Sequence, residues 1–311
     1  MIGKIKNLEK KIDDKKIIKN ISFTLEEGSI NAILGPNGVG KTTTIRLLTG
    51  LLQPTKGDIQ IFGVDTQKDT FDRVRRDIGV QNDGNLYESL TVYENLKIWA
   101  NFYDVSKEKR EHKIQELLEH FNLENRKYSK VGTLSKGMKQ KVSIIRALIH
   151  SPKLLILDEP TSGLDPSASD DLINYLQKIV KEEKVTVFMC THQLQGLEEI
   201  ADNIFIMYDG QFIVSGNSNF LLKQEWPGYE FAISTNNYDK SIESLIHNYQ
   251  IIDKDSEAKK LIIHLSKYTD VSKVIRTLIE NDIEVYTVTE IEHSIKELYF
   301  RKIKEAQNRE L

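Results

Sequence analysis

The spacing of hydrophobic positions divides the chain into two kinds of pattern. Residues 1 to about 215 alternate short β-branched runs with stretches whose apolar residues recur at helical spacing. This alternation predicts a mainly parallel sheet covered by helices. The runs IIKNISFTL, GDIQIF and IFIMYDGQFIVSG differ, and we expect them to form an antiparallel layer. Asp209-Gly210 within the third run predicts a hairpin turn.

A break in the pattern predicts a domain boundary. Trp226-Pro227-Gly228 interrupts any regular element, so we predict one domain over residues 1–222 and a second over 229–311. The second domain has the order strand, helix, strand, strand, helix, strand, followed by a closing helix. This is the βαββαβ order of a small ferredoxin-like α+β domain. It shows no catalytic constellation, and we expect an accessory role.

Composition narrows the classes of function. The chain of 311 residues carries 43 basic and 46 acidic side chains, for a net charge of −3. Without a basic excess, we expect no nucleic-acid partner. No apolar run approaches the ~20 residues that a membrane span needs, and the N-terminus lacks the apolar segment of a signal peptide. The single cysteine, Cys190, lies in an apolar run and is predicted to be a core residue of a cytosolic protein.

A glycine-rich stretch, SINAILGPNGVGKTTTIRLL, predicts a nucleotide site. An apolar strand leads into a loop with the spacing G-x-x-x-x-G-K-T, and a helix follows. In that setting the backbone N–H groups enclose phosphate oxygens, Lys41 places its charge on the β and γ phosphates, and Thr42 offers a hydroxyl to Mg²⁺. The predicted nucleotide-binding residues of this loop are Gly35, Pro36, Asn37, Gly38, Val39, Gly40, Lys41, Thr42 and Thr43.

The stretch LLILDEPTSGLD adds two carboxylates. Leu154 to Leu157 form a continuous apolar run, as expected for a strand buried on both faces, and ligands of such sheets bind at the carboxyl ends of the strands. Asp158 is therefore a candidate to hold Mg²⁺. Glu159 is the candidate general base for the water that attacks the γ-phosphate of ATP.

A third stretch, TLSKGMKQKVSIIRAL, begins a helix aimed at an anion. Ser135 occupies the N-cap position, and a helix N-terminus carries unpaired N–H groups together with roughly half a positive charge. Taken alone, the stretch favours an ordinary capped helix that has a basic outer face.

Together these motifs resemble the nucleotide-binding subunit of an ATP-binding cassette (ABC) transporter. LSKGMKQK precedes LLILDEPTSGLD, MCTHQ follows it, and GPNGVGKTT lies far upstream. The resemblance implies a P-loop NTPase fold with a parallel core, an antiparallel layer and a helical subdomain. It also implies that two subunits pack head to tail, so that Ser135 and Gly137 bind the γ-phosphate of ATP held by the partner. His192 matches the family's switch histidine.

The resemblance extends to further positions. Ser162, Gly163, Leu164 and Asp165 correspond to the loop that bridges the two nucleotide sites. Gln81 is the expected link between Mg²⁺ and the membrane subunit, although counting back from LTVYENL favours Asn82 by one residue. The segment Gly84 to Asn95 resembles the surface that receives the permease, with Leu86, Tyr87 and Leu90 as exposed anchors or as residues of a packed loop.

Two departures from the family pattern affect the expectations. Lys136 and Met138 replace the usual glycine and glutamine of the signature, a variant that resembles exporters of drugs and antibiotics. Ile12 stands where the family commonly stacks an aromatic ring on adenine, so we expect base contact without stacking and loose base selectivity.

The sequence thus predicts an ATPase that powers export through a separate permease at the cytoplasmic face of the membrane. The expected substrate is a drug, peptide antibiotic or lipid-like molecule, and the expected assembly is a homodimer with ATP and Mg²⁺. Two alternatives stay open at this point. One is a cytosolic cassette ATPase acting on ribosomes or DNA, and the other is a module that senses ATP without hydrolysing it.

Overall fold

The computed structural model describes residues 1–82, 86–194, 196–255 and 260–309. The chain divides into two compact units. One comprises Met1–Ser218 together with the residues from Tyr299 onward, and the other comprises Asn219–Leu298. This division falls at different residues from the predicted domain limits of 222 and 229. Those limits stay predictions.

The first unit contains an antiparallel sheet and a larger mixed sheet. The antiparallel sheet has the order β2-β1-β4-β5, formed by β1 (Gly3–Ile12), β2 (Lys15–Leu25), β4 (Lys56–Ile61) and β5 (Val64–Asp65). The mixed sheet consists of β3 (Ile30–Leu34), β6 (Ile78–Gln81), β7 (Leu154–Asp158), β8 (Thr186–Thr191), β9 (Asn203–Tyr208) and β10 (Gln211–Asn217). Its order is β10-β9-β3-β8-β7-β6, with parallel pairing from β9 through β6.

Several helices accompany the two sheets of the first unit. They are α1 (Lys41–Leu48), α2 (Phe71–Val74), α3 (Val92–Phe102), α4 (Lys107–His120), α5 (Lys136–Leu148) and α6 (Pro166–Glu183). Short 3₁₀ turns occupy Arg75–Asp77, Glu124–Arg126 and Val131–Thr133. The helix α5 packs on β6 and β7, and α6 packs on β8.

The core of the first unit lies between the two sheets. The apolar side of the antiparallel sheet packs with α1 against one face of the mixed sheet, and the rings of Phe23 and Phe188 stack there at 5.8 Å. In β7, Leu154 through Leu157 are all fully buried, which confirms the strand predicted from the continuous apolar run. Cys190 is also fully buried, as predicted, and burial raises the pKa of its thiol.

The hairpin at Asp209-Gly210 is confirmed, but its assignment to the antiparallel layer was wrong. Asp209 and Gly210 both have positive φ, and β9 pairs with β10 antiparallel across them. However, β9 also pairs with β3 in parallel, so the hairpin forms one edge of the mixed sheet. Sequence pattern identifies the turn, whereas a pairing partner distant in the chain decides the sheet.

The second unit has its own sheet and core. Its elements are α7 (Ser218–Glu225), β11 (Tyr229–Thr235), α8 (Tyr238–Leu245), β12 (Gln250–Asp255), β13 (Lys260–Leu265), a 3₁₀ turn (Tyr268–Asp270), α9 (Val271–Glu280), β14 (Val285–Ile291) and the start of α10 (Ile295–Asn308). The sheet is antiparallel with the order β12-β13-β11-β14. Phe231 and Ile233 pack there against Leu245, Val274 and Leu278. The β-α-β-β-α-β order is the one that the sequence predicts.

Across the part of the chain that the structure describes, no helix combines the length and the apolar character that crossing a bilayer requires.

Candidate active site

The carboxyl ends of the parallel strands bring the predicted residues to one edge of the mixed sheet. In register, Leu34 lies beside Thr191 and Asp158 beside Cys190, while Gln81 lies beside Leu157. The phosphate loop leaves β3, Asp158 ends β7, and His192 follows β8. Residues far apart in the sequence therefore meet at the position where α/β sheets bind ligands.

Close packing and backbone conformation require glycine at two positions of the phosphate loop. Gly40 has φ of 113°, and a β-carbon there would lie 2.6 Å from Cδ1 of Ile18. A β-carbon on Gly35 would lie 2.5 Å from the carbonyl oxygen of Met207. Gly40 is also the N-cap of α1 and supplies no side-chain cap. The helix N-terminus is thus left to an external anion such as phosphate.

The side chain of Lys41 contacts the phosphate loop itself. Its Nζ donates to the carbonyl oxygens of Gly35 at 2.8 Å and Pro36 at 3.1 Å, and it lies 3.4 Å from Oε1 of Glu159. The side chain is buried. This position places the buried ammonium inside the loop, and its predicted contact with phosphate oxygens stays a prediction.

Thr42 and Asp158 form an oxygen pair suited to Mg²⁺. The hydroxyl of Thr42 donates to Oδ2 of Asp158 at 2.8 Å. Magnesium prefers hard oxygen ligands and usually binds through one or two protein oxygens together with substrate phosphates and water. The residues present therefore fit the metal.

Gln81 is fully buried and directed at the same edge. Its Oε1 accepts from the backbone N–H of Asp158 at 3.1 Å, while its Nε2 is buried without a partner among the described residues. The amide oxygen accepts one hydrogen bond from the backbone in this conformation and has a second lone pair for a metal. Asn82 instead contacts α5, where its Oδ1 accepts from Arg146 at 3.3 Å.

The carboxylate of Glu159 is held from several sides. Oε1 lies 2.8 Å from Nδ1 of His192, and Oε2 accepts from the hydroxyl of Thr191 at 3.0 Å and from the backbone N–H of His192 at 3.2 Å. The side chain is about one-fifth exposed, so it remains within reach of water. This arrangement fixes the orientation of the predicted general base.

A cavity of about 590 Å³ opens onto the phosphate loop. Its lining includes Lys41, Thr42, Asp158, Glu159 and Ile12. The volume lies within the range of small-molecule sites. Further lining residues are Asp13, Lys15, Ile17, Asn37, Gly38, Gly40 and Thr43.

The signature residues Ser135 and Gly137 have contacts apart from this cavity. Ser135 caps α5, as predicted, because its Oγ accepts from the N–H of Met138 at 3.2 Å, and it is exposed. Neither Ser135 nor Gly137 is among the described residues that line the phosphate-loop cavity. A β-carbon on Gly137 would lie 2.6 Å from the carbonyl oxygen of Gly163, so the signature packs on the bridging loop of its own chain.

Asp165 has a structural contact in the described chain. Its Oδ1 accepts from the N–H of Ala168 at 2.9 Å and so caps α6. Its predicted contact with nucleotide stays a prediction.

The segment predicted to receive the permease is partly described. Gly84 and Asn85 lie outside the described residues. Tyr87 is exposed, whereas Leu86 and Leu90 are only partly exposed, so the choice between exposed anchors and a packed loop stays open. The backbone N–H of Leu90 donates to Tyr87, and its carbonyl accepts from Val131, which folds this turn against its neighbours.

Sequence reasoning missed two residues of the site. Thr191 binds the Glu159 carboxylate, and Gln140 donates to the carbonyl oxygens of Glu159 at 3.1 Å and Pro160 at 3.0 Å. Thr191 could have been found from its position between a buried strand and His192. Gln140 offered one signal, a polar residue on the buried face of an amphipathic helix.

Comparison with known proteins agrees with this geometry. The family described as ABC transporter matches residues 18–162. The bacitracin transport ATP-binding protein BcrA of Bacillus licheniformis is 34% identical over 302 residues, covering 97% of this chain and 97% of that protein. The chain belongs to the ABC transporter family. This ABC protein is an ATP-binding cassette that binds and hydrolyses ATP, which confirms the predicted fold class and enzyme class.

Other relatives of the ABC protein extend the comparison. The linearmycin resistance ATP-binding protein LnrL of Bacillus subtilis (strain 168) is 36% identical, covering 69% of each chain. Among solved structures, the dimeric structure of MJ0796, a bacterial ABC transporter cassette, is 30% identical with a TM-score of 0.65. It covers 70% of this chain and 98% of its own.

Proposed function

We propose that this ABC protein powers the export of a drug, peptide antibiotic or lipid-like substrate through a separate membrane permease. The observation that carries the proposal is the Glu159 carboxylate, held by His192, Thr191 and Lys41 beside a phosphate loop. The choice of export rests on relatives such as BcrA, which matches this chain over nearly its whole length.

In the proposed reaction, Lys41 binds the β and γ phosphates of ATP and balances their charge. Glu159 accepts a proton from the attacking water, and His192 keeps the carboxylate and the water aligned with the γ-phosphate. In this structure Oε1 of Glu159 lies 3.4 Å from Lys41. When phosphate oxygens replace this carboxylate as the partner of Lys41, Oε1 becomes available to the water.

Thr42, Asp158 and Gln81 would hold Mg²⁺. The metal would balance charge that develops on the phosphates.

We further propose that two copies enclose two ATP molecules. Ser135 and Gly137 are absent from the lining of their own phosphate-loop cavity among the described residues. The exposed N-terminus of α5, which begins with Lys136, is suited to a γ-phosphate presented by a partner copy. The dimeric structure of the MJ0796 cassette supports this assembly, and the permease would hold the pair at the cytoplasmic face of the membrane.

Purification from the native cell tests the proposal. A tagged chain should copurify from detergent-solubilised membranes with a protein that has about six apolar segments. Cells carrying Glu159→Gln should become more sensitive than wild-type cells to at least one compound in an antibiotic panel that includes bacitracin. Copurification with ribosomes, without any membrane protein, would contradict the export proposal and favour the first alternative. Neither BcrA nor LnrL favours that alternative.

A further inference from the structure

Gln140 is a buried amide on the helix that begins with the signature residues. It lies on α5, facing the turn that follows β7. Its Nε2 donates to the carbonyl oxygens of Glu159 at 3.1 Å and Pro160 at 3.0 Å. Both hydrogens of the amide are therefore used on two consecutive carbonyls of that turn.

The backbone of Glu159 needs such support. Its φ is 49°, in the left-handed region that residues with a β-carbon seldom adopt. Strained conformations of this kind persist where the surrounding structure holds them, and they occur often at active sites. Here the N–H of Glu159 donates to the carbonyl of Cys190 at 2.8 Å, and Gln140 holds the carbonyl side.

The direction of the Glu159 side chain depends on this backbone. With φ in the left-handed region, the carboxylate turns toward β8, where it meets Thr191 and His192. If Glu159 relaxed to an ordinary φ, the Cα–Cβ bond would point in another direction and these contacts would be lost. Misplacement of a reacting group by about 1 Å is enough to slow an enzyme roughly 100-fold.

We propose that Gln140 is a positioning residue, which fixes the strained turn at Glu159 and so ties the general base to the signature helix of the same chain. The inference rests on the proposed role of Glu159 as general base. This contact also links the start of α5 mechanically to Glu159. Ser135 is the N-cap of α5, Gly137 lies on its first turn and Gln140 on the next, so a displacement of the helix start is passed to the base through the amide.

Two substitutions separate hydrogen bonding from packing. Gln140→Glu keeps the shape but replaces the donating amide with a carboxylate that repels both carbonyl oxygens. Gln140→Met keeps the length without any donor. We expect kcat for ATP hydrolysis to fall roughly 10- to 100-fold in both variants. The dissociation constant of a fluorescent ATP analogue should change less than about twofold, because neither change touches the phosphate loop. Gln60→Glu, on the exposed side of β4, is the control for the added charge.

The pH profile gives a readout that packing alone would not move. A buried carboxyl facing carbonyl oxygens has a raised pKa, and once protonated it donates one hydrogen bond. The kcat deficit of Gln140→Glu relative to wild type should therefore shrink between pH 8 and pH 6, whereas that of Gln140→Met should stay constant.

Hydrogen exchange of the turn measures the same link without catalysis. In nucleotide-free protein, the peptide covering residues 158–164 should exchange faster in both variants than in Gln60→Glu. Unchanged exchange would overturn the positioning role. A kcat deficit of Gln140→Glu that stays constant between pH 8 and pH 6 would also overturn it. If wild type hydrolyses ATP and both Gln140 variants have the same kcat as wild type, the role of Gln140 alone is overturned. A fully active Glu159→Gln would instead overturn the assignment of the base.

Discussion

His150 is a partly buried histidine whose burial makes a quantitative prediction about acid stability. Its ring stacks on Tyr103 at 3.7 Å, and its Nε2 lies 3.2 Å from the carbonyl oxygen of Ile78. Burial lowers the pKa of His150 from its ordinary value of 6.5 to about 4, with only partial compensation from the Ile78 carbonyl and from Asp77. The neutral ring is therefore strongly preferred in the folded protein.

The sign and size of the effect follow from proton linkage. Between pH 6.5 and pH 4 the unfolded chain binds a proton at this side chain and the folded chain does not, so stability decreases as the pH falls. The contribution is fully present above pH 6.5. It falls by about 2 kcal/mol between pH 7 and pH 5, and by about 3 kcal/mol over the whole range.

Urea unfolding followed by tryptophan fluorescence measures this contribution. The chain has 2 tryptophans, so a Trp226→Phe background leaves Trp99, which packs on Arg146 in the first unit. Relative to this parent, His150→Gln should show about 2 kcal/mol less loss of unfolding free energy between pH 7 and pH 5, because the titrating ring is gone. His112→Gln, at an exposed position, is the matched control and should follow the parent. Equal losses in the parent and in His150→Gln would refute the reasoning.

Three further changes test the nucleotide site. Lys41→Ala should abolish binding of a fluorescent ATP analogue while the thermal midpoint remains near that of wild type, and normal ATP turnover in this variant would disprove the phosphate-loop assignment. Ile12→Tyr should tighten ATP binding about fivefold, because an aromatic ring adds stacking worth about 1 kcal/mol; no change in affinity in a binding titration would argue that the base lies elsewhere. Gly137→Ala should lower the ATPase rate and spare ATP binding by the monomer, because its β-carbon would meet the Gly163 carbonyl at 2.6 Å, and an unaffected rate would contradict that packing.

Local sequence was sufficient for the parts of the site that depend on local structure. The phosphate loop requires particular glycines at fixed spacing, and the buried strand before Asp158 requires an unbroken apolar run, so both were predictable. The capping role of Ser135 followed in the same way, because a helix start is decided by a few neighbouring residues.

Long-range pairing explains what the sequence could not provide. The hairpin after Asn203 shows the same alternation whichever sheet it joins, and only its parallel pairing with β3 decides the matter. The left-handed backbone of Glu159 has no local signal, since glutamate rarely adopts it. It arises where Cys190 and Gln140, from two other elements, meet the turn.

The central claim is that Glu159 is the general base of an ATP site completed by a second copy of the chain. Glu159→Gln keeps the shape of the side chain but cannot accept the proton of the attacking water, so hydrolysis should slow by several orders of magnitude while ATP still binds. Size-exclusion chromatography with light scattering then measures the assembly directly. The account predicts that this variant is a dimer with ATP and mainly a monomer with ADP, and that adding Ser135→Arg dissolves the dimer without preventing ATP binding. A Glu159→Gln variant that stays monomeric with ATP at high protein concentration, or a double variant that still dimerises, would contradict it.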